Sequence, residues 1–245
     1  MKSLKNKIIV VVGGTGNVGS FLVKELLKNE ATVAVPSRSV DNIDSLKKHL
    51  AKELEEEIFS RLHFFVGDIG DEDKSEEVLD EITHKVGTPH GAIAALGKFI
   101  PAPSLLNASV NDLKQVVDGY LMGHFVVAQT FLKKFKDNGG TYIFINGPLA
   151  LKPWEGSGAD LVSIATAGQK MLFESLALEL KNTDVKLVEL ITHAFIRNKE
   201  TQPGSPIPGE AVGAYASYLF SDEAKDVYGK TVQLRSMSQI KEVGL

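Results

Sequence analysis

Three glycines spaced three residues apart, Gly13, Gly16 and Gly19, sit in the run Val10-Val11-Val12-Gly13-Gly14-Thr15-Gly16-Asn17-Val18-Gly19. The run follows a β-branched apolar stretch and opens an amphipathic one. A turn of this kind between a strand and a helix lets a pyrophosphate approach the backbone, and the first helical N–H groups face the anion. Thr15, Asn17 and Val18 complete that binding turn. About twenty residues on, the next apolar run ends in Ser37-Arg38-Ser39. An NAD site usually puts a carboxylate there for the ribose 2′-OH. A guanidinium fork flanked by hydroxyls suits a 2′-phosphate instead, so NADP(H) is the cofactor these residues predict. Asp41, the nearest carboxylate, is read as the cap of the following helix.

These groups need a scaffold. Short apolar, β-branched runs at 8–12, 32–36, 63–66, 91–95, 141–146, 185–191 and 231–234 predict strands. Most are continuously apolar, as parallel strands covered on both faces must be. The segments between them read as helices. In 18–27 the apolar positions are Val18, Phe21, Leu22, Leu26 and Leu27; in 112–135, Leu113, Val116, Val117, Tyr120, Leu121 and His124 keep helical spacing. A third helix, 161–180, follows Asp160 as its expected N-cap. Strand–helix alternation implies right-handed crossovers and an α/β fold, a doubly wound parallel sheet of about seven strands with helices on both faces, the Rossmann arrangement. No repeat or linker divides residues 1–245, so one domain is expected, and the Pro/Gly-rich stretch 202–209 reads as a surface loop.

Composition narrows the chemistry. With no cysteine, thiolate catalysis, disulfides and cysteine-bound zinc are excluded, and the six histidines have no paired metal-ligand spacing. A net charge of −4 argues against a broad nucleic-acid surface. The lead-in Met1-Lys2-Ser3-Leu4-Lys5-Asn6-Lys7 precedes an apolar run too short to span a membrane. The sequence is read as cytoplasmic.

Taken together, these motifs resemble the short-chain dehydrogenase/reductase family over almost the whole chain. Gly67-Asp68-Ile69 is similar to the family's adenine-contacting Asp and its neighbour, and Ala94-Ala95-Leu96-Gly97 stands where the family has Asn-Asn-Ala-Gly. Tyr218 to Ala224 and Tyr228 to Val232 resemble its last helix and strand. Asn17 replaces the middle glycine of the classical turn, as in atypical branches. The resemblance implies a cofactor role for Ala95, and for Ile196 in Thr192-His193-Ala194-Phe195-Ile196. It also implies a Tyr acid, a Lys on the nicotinamide ribose, a Ser on the carbonyl oxygen and an Asn supporting a proton relay. Lys170 occupies the Lys position. Thr166 stands where the Tyr should be, Gly147 where the Ser should be, and Tyr120 where the Asn should be. A Thr hydroxyl cannot replace a phenol as general acid.

Three substitutes remain open. Tyr120 offers a phenol or packs in the interior. His193, where the family has Pro, borders the nicotinamide or is a plain loop histidine. Ser163 shares a helix face with Lys170 or satisfies a nearby carbonyl. Gly147 to Thr166 is longer than the family norm, and 148–160 and 194–210 are the expected substrate-side loops, with Trp154 as an apolar wall or a locally packed ring. The first functional reading is an NADP(H)-dependent oxidoreductase acting on a small molecule, either a carbonyl or alcohol or an activated double bond. The second is a non-catalytic NADP(H)-binding sensor, and the third an isomerase or epimerase on the same fold. The resemblance further implies a homodimer or homotetramer formed through the two long helices.

Overall fold

A computed structural model describes residues 3–102 and 104–245; Met1 and Lys2 of the basic lead-in lie outside the described residues. Seven parallel strands form one sheet in the order β3-β2-β1-β4-β5-β6-β9. They are β1 (Ile8–Val12), β2 (Thr32–Ser37), β3 (Leu62–Val66), β4 (Gly91–Ala94), β5 (Gly140–Asn146), β6 (Val185–Thr192) and β9 (Lys230–Leu234). Each lies within a residue of the expected run.

The runs are continuously apolar because neighbouring residues serve opposite faces. Ile9 and Val11 pack with Leu22 and Leu26 of α1 (Asn17–Lys28) and with Val212 of α8 (Gly209–Tyr218). Val10 and Val12 pack with Val127 and Phe131 of α6 (Gly123–Asn138) and with Phe173 of α7 (Asp160–Glu179). Each fully buried aliphatic or Phe side chain is worth roughly 1.5–3 kcal/mol, so a polar residue on either face would be costly. The order reverses between β1 and β4, and at such a switch point the carboxyl ends of the strands open a crevice for a ligand.

Four local expectations need correction. The helix expected over 112–135 is broken into α5 (Val110–Val117), a π-helical turn (Asp118–Met122) and α6. Spacing alone cannot register the wider turn, which contains Gly119 and Tyr120; such turns recur at functional sites. Helix α7 is capped by Ala159, and Asp160 lies in its first turn, where the carboxylate meets the helix dipole. In α2 (Val40–Leu50) the cap is Ser39, whose hydroxyl accepts the Asn42 N–H at 3.2 Å, and Asp41 is in the first turn. Finally, the region after β6 is no plain loop. Strands β7 (Ile196–Arg197) and β8 (Glu200–Thr201) form a hairpin around Asn198 and Lys199, both left-handed, as a type I′ turn requires.

Candidate functional site

The glycine turn leaves β1 at the switch point. Gly13 has φ +81, and a Cβ there would stand 2.3 Å from the Ala95 carbonyl oxygen at the end of β4. A Cβ on Gly19 would stand 2.1 Å from the Gly13 oxygen. Strand, turn and helix thus touch backbone to backbone. Gly16 is the N-cap of α1 and no side chain caps that end, so its first N–H groups remain for an anion. This cradle fits a pyrophosphate. Thr15 and Val18 are half-buried beside it and Asn17 is exposed.

At the end of β2, Ser37 Oγ bonds to the Ser39 backbone at 3.3 Å, which shapes the turn. Arg38 reaches outward, its side chain 81% exposed, and its Nη1 lies 3.4 Å from Asp68 Oδ2. Asp68 Oδ1 accepts the Gly70 N–H. The pair is weak at such exposure, so the guanidinium can exchange Asp68 for a phosphate at little cost. Ile69 is buried in the core with Val78 and Leu79, which leaves only its backbone for an adenine.

The groups expected to act on substrate are distributed unevenly. Lys170 is half-buried on α7, its Nζ against the Glu174 carboxylate one turn on. The Thr166 hydroxyl is buried and donates to Val162 O at 2.8 Å and Ser163 O at 3.3 Å. Ser163 Oγ donates to Ala159 O, so both hydroxyls are committed to their own helix. Tyr120 packs over Gly97, where a Cβ would meet the ring at 2.1 Å. Burial pushes its phenol up to about 12, which makes it a weaker proton donor. His193 follows β6 and lies beside Gln233 of β9 and Arg235 just after it; its Nε2 is buried without a partner. Burial, reinforced by Arg235, holds its pKa below the usual value, so the ring is neutral at pH 7. At Gly147, expected at the position of the family's serine, a Cβ would meet nothing within 4 Å.

Sequence reasoning missed the buried network under these groups. Asn146, ending β5, donates to Glu189 Oε1 at 2.9 Å and to Thr166 O at 3.2 Å, while its Oδ1 accepts the Gly147 N–H at 2.8 Å. Glu189 is fully buried, and its other oxygen accepts from Thr231 Oγ1 at 2.7 Å. Burial raises this carboxyl; the bonds from Asn146 and Thr231 and the charge of Lys170 pull it part of the way back. The network therefore ties β5, β6, β9 and the turn of α7 before Lys170 into one unit. The signal available in sequence was a lone carboxylate inside the apolar run Leu187-Val188-Glu189-Leu190-Ile191.

The loops around the site are joined as well. Asn17 Oδ1 accepts the Lys199 N–H at 3.1 Å, which binds the hairpin that begins at Ile196 to the glycine turn. Ala102 N–H donates to Gly158 O at 2.9 Å, and Trp154 meets Phe195 edge to face at 6.4 Å. The two segments expected on the substrate side, 148–160 and 194–210, are thus in contact. Among the described residues no group of three His, Asp or Glu side chains could hold a metal ion, and no helix is long and apolar enough to cross a membrane.

Comparison with known proteins agrees with this geometry. The family model described as short chain dehydrogenase matches residues 7–199. The chain is 24% identical over 252 residues to the post-translational flagellin modification protein A of Campylobacter coli, across 94% of this chain and 96% of that one. Its fold is similar to the crystal structure of gox2181, with 17% identity, TM-score 0.83 and 97% of each chain covered. It is also similar to ElxO with NADP bound, with 16% identity, TM-score 0.81, and 98% and 99% covered.

Proposed function

The chain belongs to the short chain dehydrogenase family, and from that premise we propose that it is an NADP(H)-dependent oxidoreductase of a small molecule, a carbonyl or alcohol or an activated double bond. The observation that carries the reading is the glycine cradle with an exposed guanidinium beside it. Gly13 and Gly19 leave no room for a side chain, the N-terminus of α1 is uncapped, and Arg38 stands free of any strong partner. That a similar structure holds NADP supports the choice of nucleotide. Gly13, Thr15, Gly16, Asn17, Val18 and Gly19 would hold the pyrophosphate, Ser37 and Arg38 the 2′-phosphate, Asp68 and the Ile69 backbone the adenine, and Ala95 and Ile196 the nicotinamide half.

When bound, NADPH supplies a hydride, leaving NADP⁺. On this chain, the Lys170 ammonium, paired with Glu174, would hold the ribose hydroxyls and order the water that protonates the substrate oxygen. His193, neutral at pH 7, accepts or relays a proton, and Tyr120 serves as wall more than acid because burial has weakened it. Thr166 contributes its helix position; its hydroxyl is already bonded. With neither phenol nor serine in place, turnover of simple ketones should fall on the order of 10²–10⁴-fold below that of an enzyme with a positioned acid. A panel of ketones, aldehydes and quinones with NADPH checks this. Robust turnover would mean that another acid is in place, and Lys170→Ala, His193→Gln and Tyr120→Phe would then locate it.

The cofactor assignment has its own test. Charge-assisted bonds to a phosphate are worth about 1.5–3 kcal/mol, so Arg38→Ala should weaken NADPH roughly 10–100-fold and leave NADH unchanged. Fluorescence titration of both nucleotides reads this directly. Equal affinities in the native protein would overturn the roles of Ser37 and Arg38.

We also propose a cytoplasmic homodimer or homotetramer. Helix α7 leaves Ile164, Met171 and Leu178 exposed at seven-residue spacing, beside exposed Met122 and Phe125 at the start of α6. Such a stripe supports packing against a second copy. Met171→Glu should shift the protein to a smaller species in size-exclusion chromatography with light scattering; an unchanged mass would remove the stripe from the interface.

A further inference from the structure

The two large rings on the substrate-side loops are neither core nor solvated accident. Trp154 and Phe195 lie on the segments that leave β5 and β6 at the carboxyl end of the sheet, the end that carries the glycine turn. Their rings meet edge to face, 84° between planes, and stay 38% and 42% exposed. An edge-to-face pair covers one face of one ring and leaves the other faces clear of the partner ring, and a half-exposed aromatic face beside a ligand crevice is a surface on which another ring can stack.

The backbone that carries each ring is held in place. The Phe195 N–H donates to Ser205 Oγ at 2.9 Å, and its carbonyl accepts the Gln202 N–H at 2.7 Å. The hairpin that follows is fastened to Asn17 through Lys199, and Thr201 Oγ1 accepts the Gly209 N–H at 2.8 Å. The Trp154 carbonyl accepts the Ser157 N–H, and Gly158 O is bonded by Ala102. That last bond joins the Trp154 loop to an apolar cluster in which Ile100, Val117, Tyr120 and Leu149 are only partly buried. An aromatic pair on fastened loops, one of them joined to half-buried apolar groups, can desolvate an apolar body at little cost in ordering entropy.

We propose that Trp154 and Phe195 form the specificity wall of the substrate site and that the substrate carries a bulky apolar group, aromatic in its best-fitting form, next to the reacting carbon. This rests on the oxidoreductase reading for the word substrate, but the wall can be tested without turnover. Trp154 is the only tryptophan in the chain, so its emission reports on the wall itself.

The protein, saturated with NADP⁺, is titrated with 4-phenyl-2-butanone and separately with dihydroxyacetone while Trp154 emission is followed, with N-acetyltryptophanamide as inner-filter control. The phenyl ketone should give a saturable change at a concentration at least about tenfold below any response to dihydroxyacetone, since burial of a phenyl ring is worth more than one tenfold step. Phe195→Ala should raise that half-saturation about fivefold or more, and Phe195→Leu should recover part of it. Should Phe195→Ala fail to fold, Trp154→Phe and Trp154→Ala, read by calorimetry with the same ketone, replace it: the first should bind, the second should not. No saturable change with the phenyl ketone, equal binding of the polar ketone, or variants indistinguishable from the native protein would each overturn the wall. NADPH consumption is read in parallel samples. Binding with no consumption at all, not even the slow turnover expected without a positioned acid, upholds the wall and counts against the oxidoreductase reading; consumption with dihydroxyacetone but no response to the phenyl ketone upholds that reading and overturns the wall.

Discussion

Gly13→Ala should remove nucleotide binding from a protein that still folds. The added methyl would be 2.3 Å from the Ala95 carbonyl oxygen and 2.9 Å from its carbonyl carbon, and the φ of +81 at this position is one that side-chain-bearing residues seldom adopt. Strain of that kind costs about 1–3 kcal/mol, which a core of this size can absorb. The cradle cannot absorb it, because relief requires the turn to move off β4, and the N–H groups at the start of α1 move with it. NADPH affinity should fall at least about 100-fold, the loss of some 2.7 kcal/mol. Gly119→Ala is the matched control. Its methyl would meet nothing within 4 Å, and the residue lies in the π-helical turn Asp118–Met122, outside the cradle, so it should bind within a few-fold of native. Calorimetric titration well below the melting temperature of each variant, with circular dichroism to establish folding, separates lost binding from lost structure. A folded Gly13→Ala protein that binds NADPH within a few-fold of native would reduce the turn to a mere chain reversal.

The scaffold of that cradle was legible because its determinants are local. Residues 8–12 and 141–146 could only be doubly covered parallel strands, since Val10 and Val11 have no polar neighbour to face water; both were found within a residue of the expected ends. The glycine turn and Arg38 beyond β2 stood out for the same reason, each being defined by its distance along the chain from one element, whereas Lys170 on α7 was singled out only through the family resemblance. The break at Asp118–Met122 did not, because a wider helical turn changes no residue's hydrophobicity and moves later positions by only one step.

Most of the candidate site depends instead on contacts between distant segments. Asn17 looked like a defective glycine; in space its side chain fastens the hairpin at Lys199, 182 residues away. Glu189 carried a visible signal, a carboxylate where only apolar residues belong, but its partners Asn146 and Thr231 come from two other strands. The Thr166 hydroxyl could be weighed by its pKa, yet its commitment to Val162 O is a matter of rotamer. Trp154 could be assigned to wall or surface only once Phe195 was found against it.

His124 belongs to the same class of hidden residue and supports the largest stability effect expected of one side chain here. In sequence it merely continues an apolar stripe on the helix. In the structure it is fully buried in α6, its ring 5.6 Å from Phe144 and stacked on it. The Leu96 backbone lies near enough to favour the proton slightly, but neither ring nitrogen has a partner in hydrogen-bonding geometry, and burial prevails, pushing the pKa down to about 4. The unfolded chain, with an ordinary value near 6.5, therefore takes up a proton first as the pH falls. Between about 4 and 6.5 it binds more protons than the folded protein, so stability rises with pH across that window and is lost on acidification. From pH 7.5 to 5 this one group should cost about 2 kcal/mol. His124→Leu removes the titration and also an unsatisfied buried polar ring, itself worth roughly 1–3 kcal/mol. The variant should be more stable than native at pH 7.5 and further ahead at pH 5. His90 and His193, also lowered by burial, stay in both proteins, as does Glu189, whose raised carboxyl acts in the opposite sense; the difference between variant and native isolates His124. Urea unfolding at the two pH values, with His124→Met as a second apolar replacement, measures it. Parallel stability profiles for native and variant would mean that His124 is hydrated or paired in solution and does not titrate as a buried base.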